Sequence, residues 1–280
     1  MGKSETALEV AKHFNAEIIN GDAFQCYKQL NIGVAKPDPK YFETIPHHLY
    51  SFVDITHNYS IAEYQKNLRN KIDEVLSKGK NVIIVGGSGL YIRSALYDYV
   101  FDEDKKVDMS KYIVMDDRTL HEELRKIDPI EAEKIHMNNR KRVLRAIEIY
   151  LSSGVSKSDI ISRQEHKCLY DAKFFVKEMD RNELYSRIDQ RVDLMMKDGL
   201  ENEVKDLYVR YGKSPRALQA IGYKEIIEFL EGKINHEDMI ELIKKNTRNY
   251  AKRQLTFIRH QFPTIYYKNT EDLQRIINNG

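Results

Sequence analysis

The sequence predicts an α/β fold, a parallel sheet flanked by helices and interrupted by a helical insertion. Three observations carry that expectation. Two short apolar runs, residues 17–20 (EIIN) and 81–85 (NVIIV), each follow a helical pattern and each end in a glycine turn. After Phe101 the composition turns charged and helical to about residue 163, and a strand-like run, AKFFVKEM at 172–179, then resumes. Gly2-Lys3-Ser4 matches the closing half of the phosphate loop G-x-x-x-x-G-K-[ST] and stands directly before a helix.

Taken in order, Ala7, Val10, Ala11 and Phe14 recur at helical spacing, and residues 15–16 end that helix. Residues 17–20 form a buried strand, with Gly21-Asp22 just past its C-terminal end. A second helix spans 61–76, Lys78-Gly79-Lys80 breaks it, and strand 81–85 runs into GGSGLY. Ligands of parallel sheets bind at strand C-terminal ends beside helix N-termini, so Asp22 and Ser88 are expected at one place. Residues 105–170 read as a helical insertion domain within a core formed by 1–104 and 171–280. The remainder reads as helices over 182–211, 215–230 and 236–260.

The totals exclude several classes. At 41% hydrophobic and 31% charged, the 280-residue chain is globular, not disordered. A formal charge of +2 provides no global field for nucleic acid, so any such site must come from local clusters. Cys26 and Cys168 can build neither a disulfide framework nor a CxxC zinc site. The longest apolar run, NVIIVGG, is far short of a membrane span, and the charged amphipathic start is no signal peptide. A reducing, cytoplasmic protein with no membrane role is expected.

The opening residues admit two readings. Met1-Gly2 with Thr6 fits an N-myristoylation pattern, but a helix beginning at once ties that terminus down. The phosphate-loop reading has the chemistry: N–H groups at a helix start face an anion, Lys3 adds a point charge, and the Ser4 hydroxyl can reach Mg²⁺.

NGDAFQCYKQLNIGVAKP at 20–37 decides between them. It resembles the block after the phosphate loop in the tRNA dimethylallyltransferases, keeping Asp22, Gln25, Tyr27, Ile32, Gly33, Ala35, Lys36 and Pro37 and departing at Val34, where that family has Thr. IPHHL (45–49), VGGSGLY (85–91), NNRKRVLRAIEIY (138–150), LYSRIDQRVDLM (184–195), LQAIGYKE (218–225) and TRNYAKRQLTFIR (247–259) follow in family order. The resemblance covers essentially the whole chain. It implies a P-loop NTPase-like sheet and transfer of a dimethylallyl group from its diphosphate to N6 of the adenosine 3′-adjacent to the anticodon. Family members open with a strand and G-P-T-x-x-G-K-[ST], a pattern this chain joins at Gly2. The resemblance therefore implies that about a dozen residues precede it in a native protein, lost to a misassigned start or to trimming.

The site residues follow from that reading. The adenine amine is a poor nucleophile, and a carboxylate at N6 can take its proton; Asp22 is the candidate, its bland alternative being a loop cap. Ser88 and Arg187 join it as catalytic candidates. Gly2, Lys3, Ser4, Arg187 and Arg191 are expected on the diphosphate, with Mg²⁺ on Ser4. Arg187 and Arg191, four apart, share a helix face, though Asp189 or Asp193 could claim them. For tRNA the expected contacts are Asp22, Ala23, Phe24 and Gln25 around an extruded base. To these the reading adds Lys36, then Lys141, Arg142, Val143, Leu144 and Arg145, and finally Gln219 and Lys224. On the last long helix Lys244, Arg248 and Lys252 form one stripe, broadened by Lys245, Arg253 and Arg259. His47 and His48 read as structural, Cys26 as no nucleophile, and some tyrosines as base-stacking. The partners implied are tRNA and dimethylallyl diphosphate, acting on a monomer. Rival readings are a small-molecule P-loop kinase, a transferase for free adenine nucleotides, and an RNA-binding protein without activity.

Overall fold

In the computed structural model residues 2–101 and 107–279 are described. The chain divides into two units, Met1–Leu96 with Asp171–Gly280, and Tyr97–Tyr170. The boundary expected at residues 104 and 105 lies outside the described residues.

The first unit begins with α1 (Lys3–His13), whose buried stripe of Ala7, Val10 and Ala11 is the one the spacing foretells. β1 (Ala16–Asn20) is buried along its whole length. Next come α2 (Pro39–Thr44), capped by Asp38, and the short β2 (His47–His48). α3 (Ile61–Ser77) opens with a capping box: Ser60 accepts the Glu63 N–H and Glu63 accepts the Ser60 N–H. β3 (Asn81–Val85) and α4 (Gly89–Leu96) complete this stretch. The sheet order is β2–β1–β3, parallel throughout, with Ile18 opposite Ile83. Parallel pairing sets the C-terminal ends of β1 and β3 side by side, and with them Gly21-Asp22 and residues 86–88.

The second unit consists of α5 (Ser110–Ile113), α6 (Asp117–Ile127), α7 (Pro129–Lys134), α8 (Arg140–Ser153) and α9 (Lys157–Ser162). Leu120, Leu124, Ala132, Ile135, Val143, Ala146 and Ile147 make its core. Asp128 stands between α6 and α7, and its buried carboxylate accepts the N–H groups of Glu131 at 3.0 Å and Ser158 at 2.9 Å.

The chain then returns to the first unit through β4 (Phe174–Lys177), α10 (Arg181–Lys197) and α11 (Leu200–Tyr211). A 3-10 turn at Arg216–Gln219 leads to α12 (Tyr223–Leu230), α13 (His236–Gln261), β5 (Thr264–Tyr267) and α14 (Thr270–Asn279). β4 and β5 form a separate parallel pair. Val10 of α1 packs with Tyr267 and Leu273, and Ile83 and Phe175 border that cluster, so α1 covers strands of both sheets. The helix expected over 182–211 is two helices, because Gly199 takes φ 96° between them. Gly222, also at φ 96°, similarly divides the expected 215–230 segment. Nothing in the sequence reading anticipated β5 or α14.

Candidate active site

Asp22 is fixed from below by Asn20. The fully buried Asn20 amide donates to the carbonyls of Asp22 (2.9 Å) and Leu49 (3.0 Å), and its oxygen accepts the Asp22 N–H at 2.9 Å. The Tyr64 hydroxyl donates to the Asn20 carbonyl at 2.9 Å, tying α3 to the same strand end. Asp22 Oδ1 accepts the Phe24 N–H at 2.9 Å, which turns the chain and aims the carboxylate. Ser88 links the two strand ends: its Oγ accepts the Ala23 N–H at 2.9 Å and its N–H reaches the Gly21 carbonyl at 3.1 Å.

This junction explains the glycines of VGGSGLY. A Cβ on Gly86 would lie 2.0 Å from the Gly21 carbonyl, so the strand ends meet only without one. On Gly87 a Cβ would strike Gln254 at 2.1 Å, and on Gly89 it would strike Phe257 at 2.6 Å. α13 thus packs directly on the turn, and the Gln254 amide donates to the Gly87 carbonyl at 2.7 Å.

Two cations act on the carboxylate. Gly2 caps α1 in the left-handed region at φ 81°, and Lys177 Nζ lies 3.7 Å from where its Cβ would be. Lys3 keeps exposed area, yet crowding strips water from its ammonium. That desolvation depresses its pKa, Asp22 opposes the shift, and Arg191 adds to it. Arg191 too keeps exposed area, and crowding of its guanidinium lowers its pKa against the pull of Asp22. Lys3, Asp22 and Arg191 therefore share one electrostatic neighbourhood. Arg187 does not join it by any contact present here; it pairs with Glu183 at 2.8 Å on the exposed side of α10. The face shared by two arginines four apart was legible, but an acid one turn earlier intercepts the first of them.

From Ala23 onward the wall becomes aromatic. A cavity of about 330 Å³ is lined by Ala23, Phe24, Tyr27 and Tyr59, by residues 87–91, and by Arg216, Tyr250, Arg253, Gln254 and Phe257. Tyr250, Arg253, Gln254 and Phe257 stand at i, i+3, i+4 and i+7, the helical signal that could have found this face in place of the basic stripe. Burial and then Asp22 raise the Tyr250 pKa, while contacts with the Ser88 and Gln254 side chains oppose the rise. Cys26 sits beneath, its thiol pushed up to about 12 by burial and by Asp22, a protonated filler and no nucleophile.

The other expected contacts divide. Lys141, Arg142 and Arg145 are exposed on α8, with Arg145 paired to Glu148 at 2.7 Å. Val143 is fully buried in the core of its unit and Leu144 packs against that core, so of the five contacts expected on α8 only the three charged ones are exposed. Arg248 is spent on Asp189 at 2.6 Å and Lys244 on Asp193 at 2.7 Å, which makes them ties between α10 and α13. Lys252 and Gln219 are exposed, and Lys224 approaches Glu225 at 3.5 Å. Lys36 turns inward to the Tyr27 and Lys28 carbonyls and to Asn31 Oδ1 at 3.1 Å. It is an internal staple, not a phosphate contact. His48 bonds Glu17 at 2.6 Å and His47 the Ile45 carbonyl at 2.7 Å, so both histidines are structural.

Comparison with known proteins gives one answer. The family model described as IPP transferase matches residues 25–261. The chain is 43% identical over 276 residues to the tRNA dimethylallyltransferase of Bacillus subtilis, covering 96% of this chain and 88% of that protein. It is 41% identical over 274 residues to the enzyme of the same name from Anoxybacillus flavithermus, covering 97% and 88%. Among solved structures, the tRNA isopentenylpyrophosphate transferase of Staphylococcus epidermidis superposes with TM-score 0.73 at 36% identity, covering 99% of this chain and 94% of that one. A eukaryotic dimethylallyltransferase captured acting on tRNA superposes with TM-score 0.83 at 30% identity, covering 99% and 75%.

Proposed function

The chain belongs to the IPP transferase family, and on that premise we propose that it transfers a dimethylallyl group from dimethylallyl diphosphate to N6 of the adenosine 3′-adjacent to the anticodon of tRNA. The assignment to this site is carried by one juxtaposition: the Asp22 carboxylate acts electrostatically on two cations, Lys3 and Arg191, and the residue after it lines an aromatic cavity. A diphosphate needs the first environment and a nucleobase the second.

In this reading the adenine enters the cavity and lies among Tyr59, Tyr91, Tyr250 and Phe257, whose faces suit any base. The N6 lone pair attacks the allylic C1 as the C1–O bond to diphosphate breaks. Asp22 accepts the proton that N6 loses. The departing diphosphate carries new negative charge, which the N–H groups at the start of α1, Lys3, Arg191 and Lys177 stabilise. Ser88 holds the Ala23 N–H and touches Tyr250, so it orients the base-side wall against the strand ends. Arg187, paired with Glu183 through one nitrogen, keeps further N–H donors for the diphosphate.

Mg²⁺ fits the donor set. Among the described residues no group of three or more His, Cys, Asp or Glu could cage a cation, and Mg²⁺ bound mainly through substrate phosphates needs only one or two protein oxygens. The Ser4 hydroxyl would hold it beside the diphosphate, where it would neutralise leaving-group charge. In the helical unit Lys141, Arg142 and Arg145 are exposed cations suited to an RNA backbone, and in the sheet unit Lys252 is another, with Gln219 and Lys224 as further contacts there. We take the enzyme as a cytoplasmic monomer; no helix among the described residues is long and apolar enough to cross a membrane.

The test is transfer of label from dimethylallyl diphosphate to unmodified tRNA with Mg²⁺, for the chain and for Asp22→Ala. Incorporation that Asp22→Ala abolishes is expected. Label transfer to free adenosine monophosphate in preference to tRNA would sink the reading.

A further inference from the structure

The aromatic cavity carries charge of one sign. No Asp or Glu is among the residues that line it, and Arg216 and Arg253 stand in its wall. Arg253 lies over the Tyr250 ring, 6.0 Å from its centroid. Arg216 has a different setting. It opens the 3-10 turn Arg216–Gln219, in which Ala217 and Leu218 are fully buried and the Leu218 N–H donates to the Pro215 carbonyl at 3.0 Å. Its backbone is thus anchored, while its side chain stays exposed at the rim of a cavity whose Tyr27 and Tyr59 are buried.

Elsewhere in this unit the fold supplies cations with acids. Arg187 meets Glu183, Lys244 meets Asp193 and Arg248 meets Asp189. The Arg216 guanidinium makes no ion pair and no hydrogen bond among the described residues. Two hydroxyls of the same wall feel its charge: burial raises the Tyr27 and Tyr91 pKa values, and Arg216 opposes both rises. An unpaired guanidinium against an aromatic wall suits a ligand that brings both a π face and an anion, as a nucleotide in a strand does. The diphosphate has other partners. Lys3, Ser4, Lys177 and Arg191, set against that leaving group, are all absent from the cavity lining.

We propose that Arg216 forms a second anion site, at the cavity rim, that holds a phosphate flanking the extruded adenosine. The inference rests on the tRNA-modifying reading above and adds to it a subsite on the nucleotide side. A guanidinium can direct two parallel N–H groups at two oxygens of one phosphate, so the contact orients the strand as well as attracting it. The backbone is held where the base leaves the stack.

The test couples this side chain to a single phosphate. The probes are anticodon stem-loop RNAs with adenosine 3′ of the anticodon: one with a natural backbone, and two with a neutral methylphosphonate at the phosphate 5′ or 3′ of that adenosine. The full chain and its Arg216→Gln variant are compared by binding across a salt series, by KM for dimethylallyl diphosphate at saturating RNA, and by melting temperature. Arg216→Gln is expected to bind the natural RNA about tenfold more weakly, the scale of one charge-assisted contact. It should also lower the slope of log affinity against log salt by about 0.7, the value for one phosphate of a single strand. One of the two methylphosphonate RNAs is expected to bind parent and variant equally, because the partner is already gone. KM for the diphosphate should not change. An unchanged salt slope would overturn the inference, since the guanidinium would then stack on a base or stay in water. So would losses that multiply at both phosphates, or a raised KM for dimethylallyl diphosphate. If Arg216→Gln melts lower, Arg216→Lys takes its place. It keeps the charge and the slope but loses the fork, and is expected to bind the natural RNA more weakly and the same methylphosphonate RNA as the parent does. Equal binding of the natural RNA by parent and Arg216→Lys would overturn the inference. No binding of the natural RNA by the unsubstituted chain would instead overturn the functional reading, and this inference with it.

Discussion

Asp22 has its position before any substrate arrives, and the reason lies in its neighbours. Asn20 holds both sides of its peptide, Phe24 supplies the turn, and Ser88 brings the second strand end against it. Asp22→Asn keeps the size and one acceptor oxygen but loses proton affinity. It is expected to lower single-turnover transfer by about 10²–10⁴-fold, the usual share of a general base, with RNA affinity nearly unchanged. Equal turnover by this variant would return Asp22 to the role of loop cap. Gly86 makes a complementary case. Its added methyl would enter the Gly21 backbone at 2.0 Å, and no flexible side chain is there to give way. Gly86→Ala should therefore destabilise the chain by about 3 kcal/mol or more, read by denaturant unfolding, and displace Asp22 as the strand ends part. The place of Asp22 was legible in the sequence, just past a strand and next to Ser88 of the neighbouring strand end, while its role came from the family resemblance. Asn20 was not, because nothing in a sequence reveals that a buried amide will face back onto its own chain.

Among the elements, α13 separates charge left exposed from charge that packs. Its sequence carries a basic stripe, and the structure spends Lys244 and Arg248 of that stripe on Asp193 and Asp189 of α10. Spacing alone reveals which residues share a face, not whether another helix brings acids to meet them. Two substitutions distinguish the roles. Arg248→Ala should cost about 1 kcal/mol of stability, as a partly exposed pair does, and leave the salt dependence of RNA binding in place. Lys252→Ala should leave stability unchanged and reduce the slope of log affinity against log salt by about one. The reverse pattern would show that the stripe, and not its free end, meets the phosphates. The same limit explains the break at Gly199. Helical periodicity runs on through 182–211, and only the left-handed backbone there divides α10 from α11. β5 escaped notice for a related reason. Four residues paired to a strand 90 positions earlier carry too short a pattern to stand out from their flanking helices. The strands β1 and β3 were plain because each is an apolar run bounded by breakers, and their glycine turns marked the site.

At the scale of the whole molecule, each unit carries a buried carboxylate whose ionised form the fold prefers. Glu17 lies in the sheet unit with His48 and Lys80 upon it at 2.6 and 2.7 Å. Asp128 lies in the helical unit with the Glu131 and Ser158 N–H groups upon it. Burial alone would raise both pKa values. For Glu17 the hydrogen bonds and charges of Lys80 and His48 outweigh it, and the carboxyl falls below its ordinary value of 4.5. For Asp128 the bonds from Ser158 and Glu131 do the same against an ordinary value of 3.8. A carboxyl with a depressed folded pKa binds protons more weakly than its unfolded counterpart. Its contribution is thus complete above the unfolded value and is lost as pH falls through the folded one. Both units should hold full stability from these groups near neutrality, the sheet unit weakening below about pH 4.5 and the helical unit below about pH 3.8, the ordinary values of the two carboxyls. Lys36 adds a slope of the opposite origin on the alkaline side. Its folded pKa of about 8 lies under the ordinary 10.5, so the penalty of its buried charge is relieved as pH rises between them. The acid limb can be assigned unit by unit. Glu17→Gln should flatten the acid dependence of hydrogen exchange at the Ile18 and Ile19 amides and leave that at Leu124 as it was. Asp128→Asn should do the converse. A single substitution that flattened both would mean that the two units unfold in acid as one cooperative body, and that their carboxylates act on a shared equilibrium.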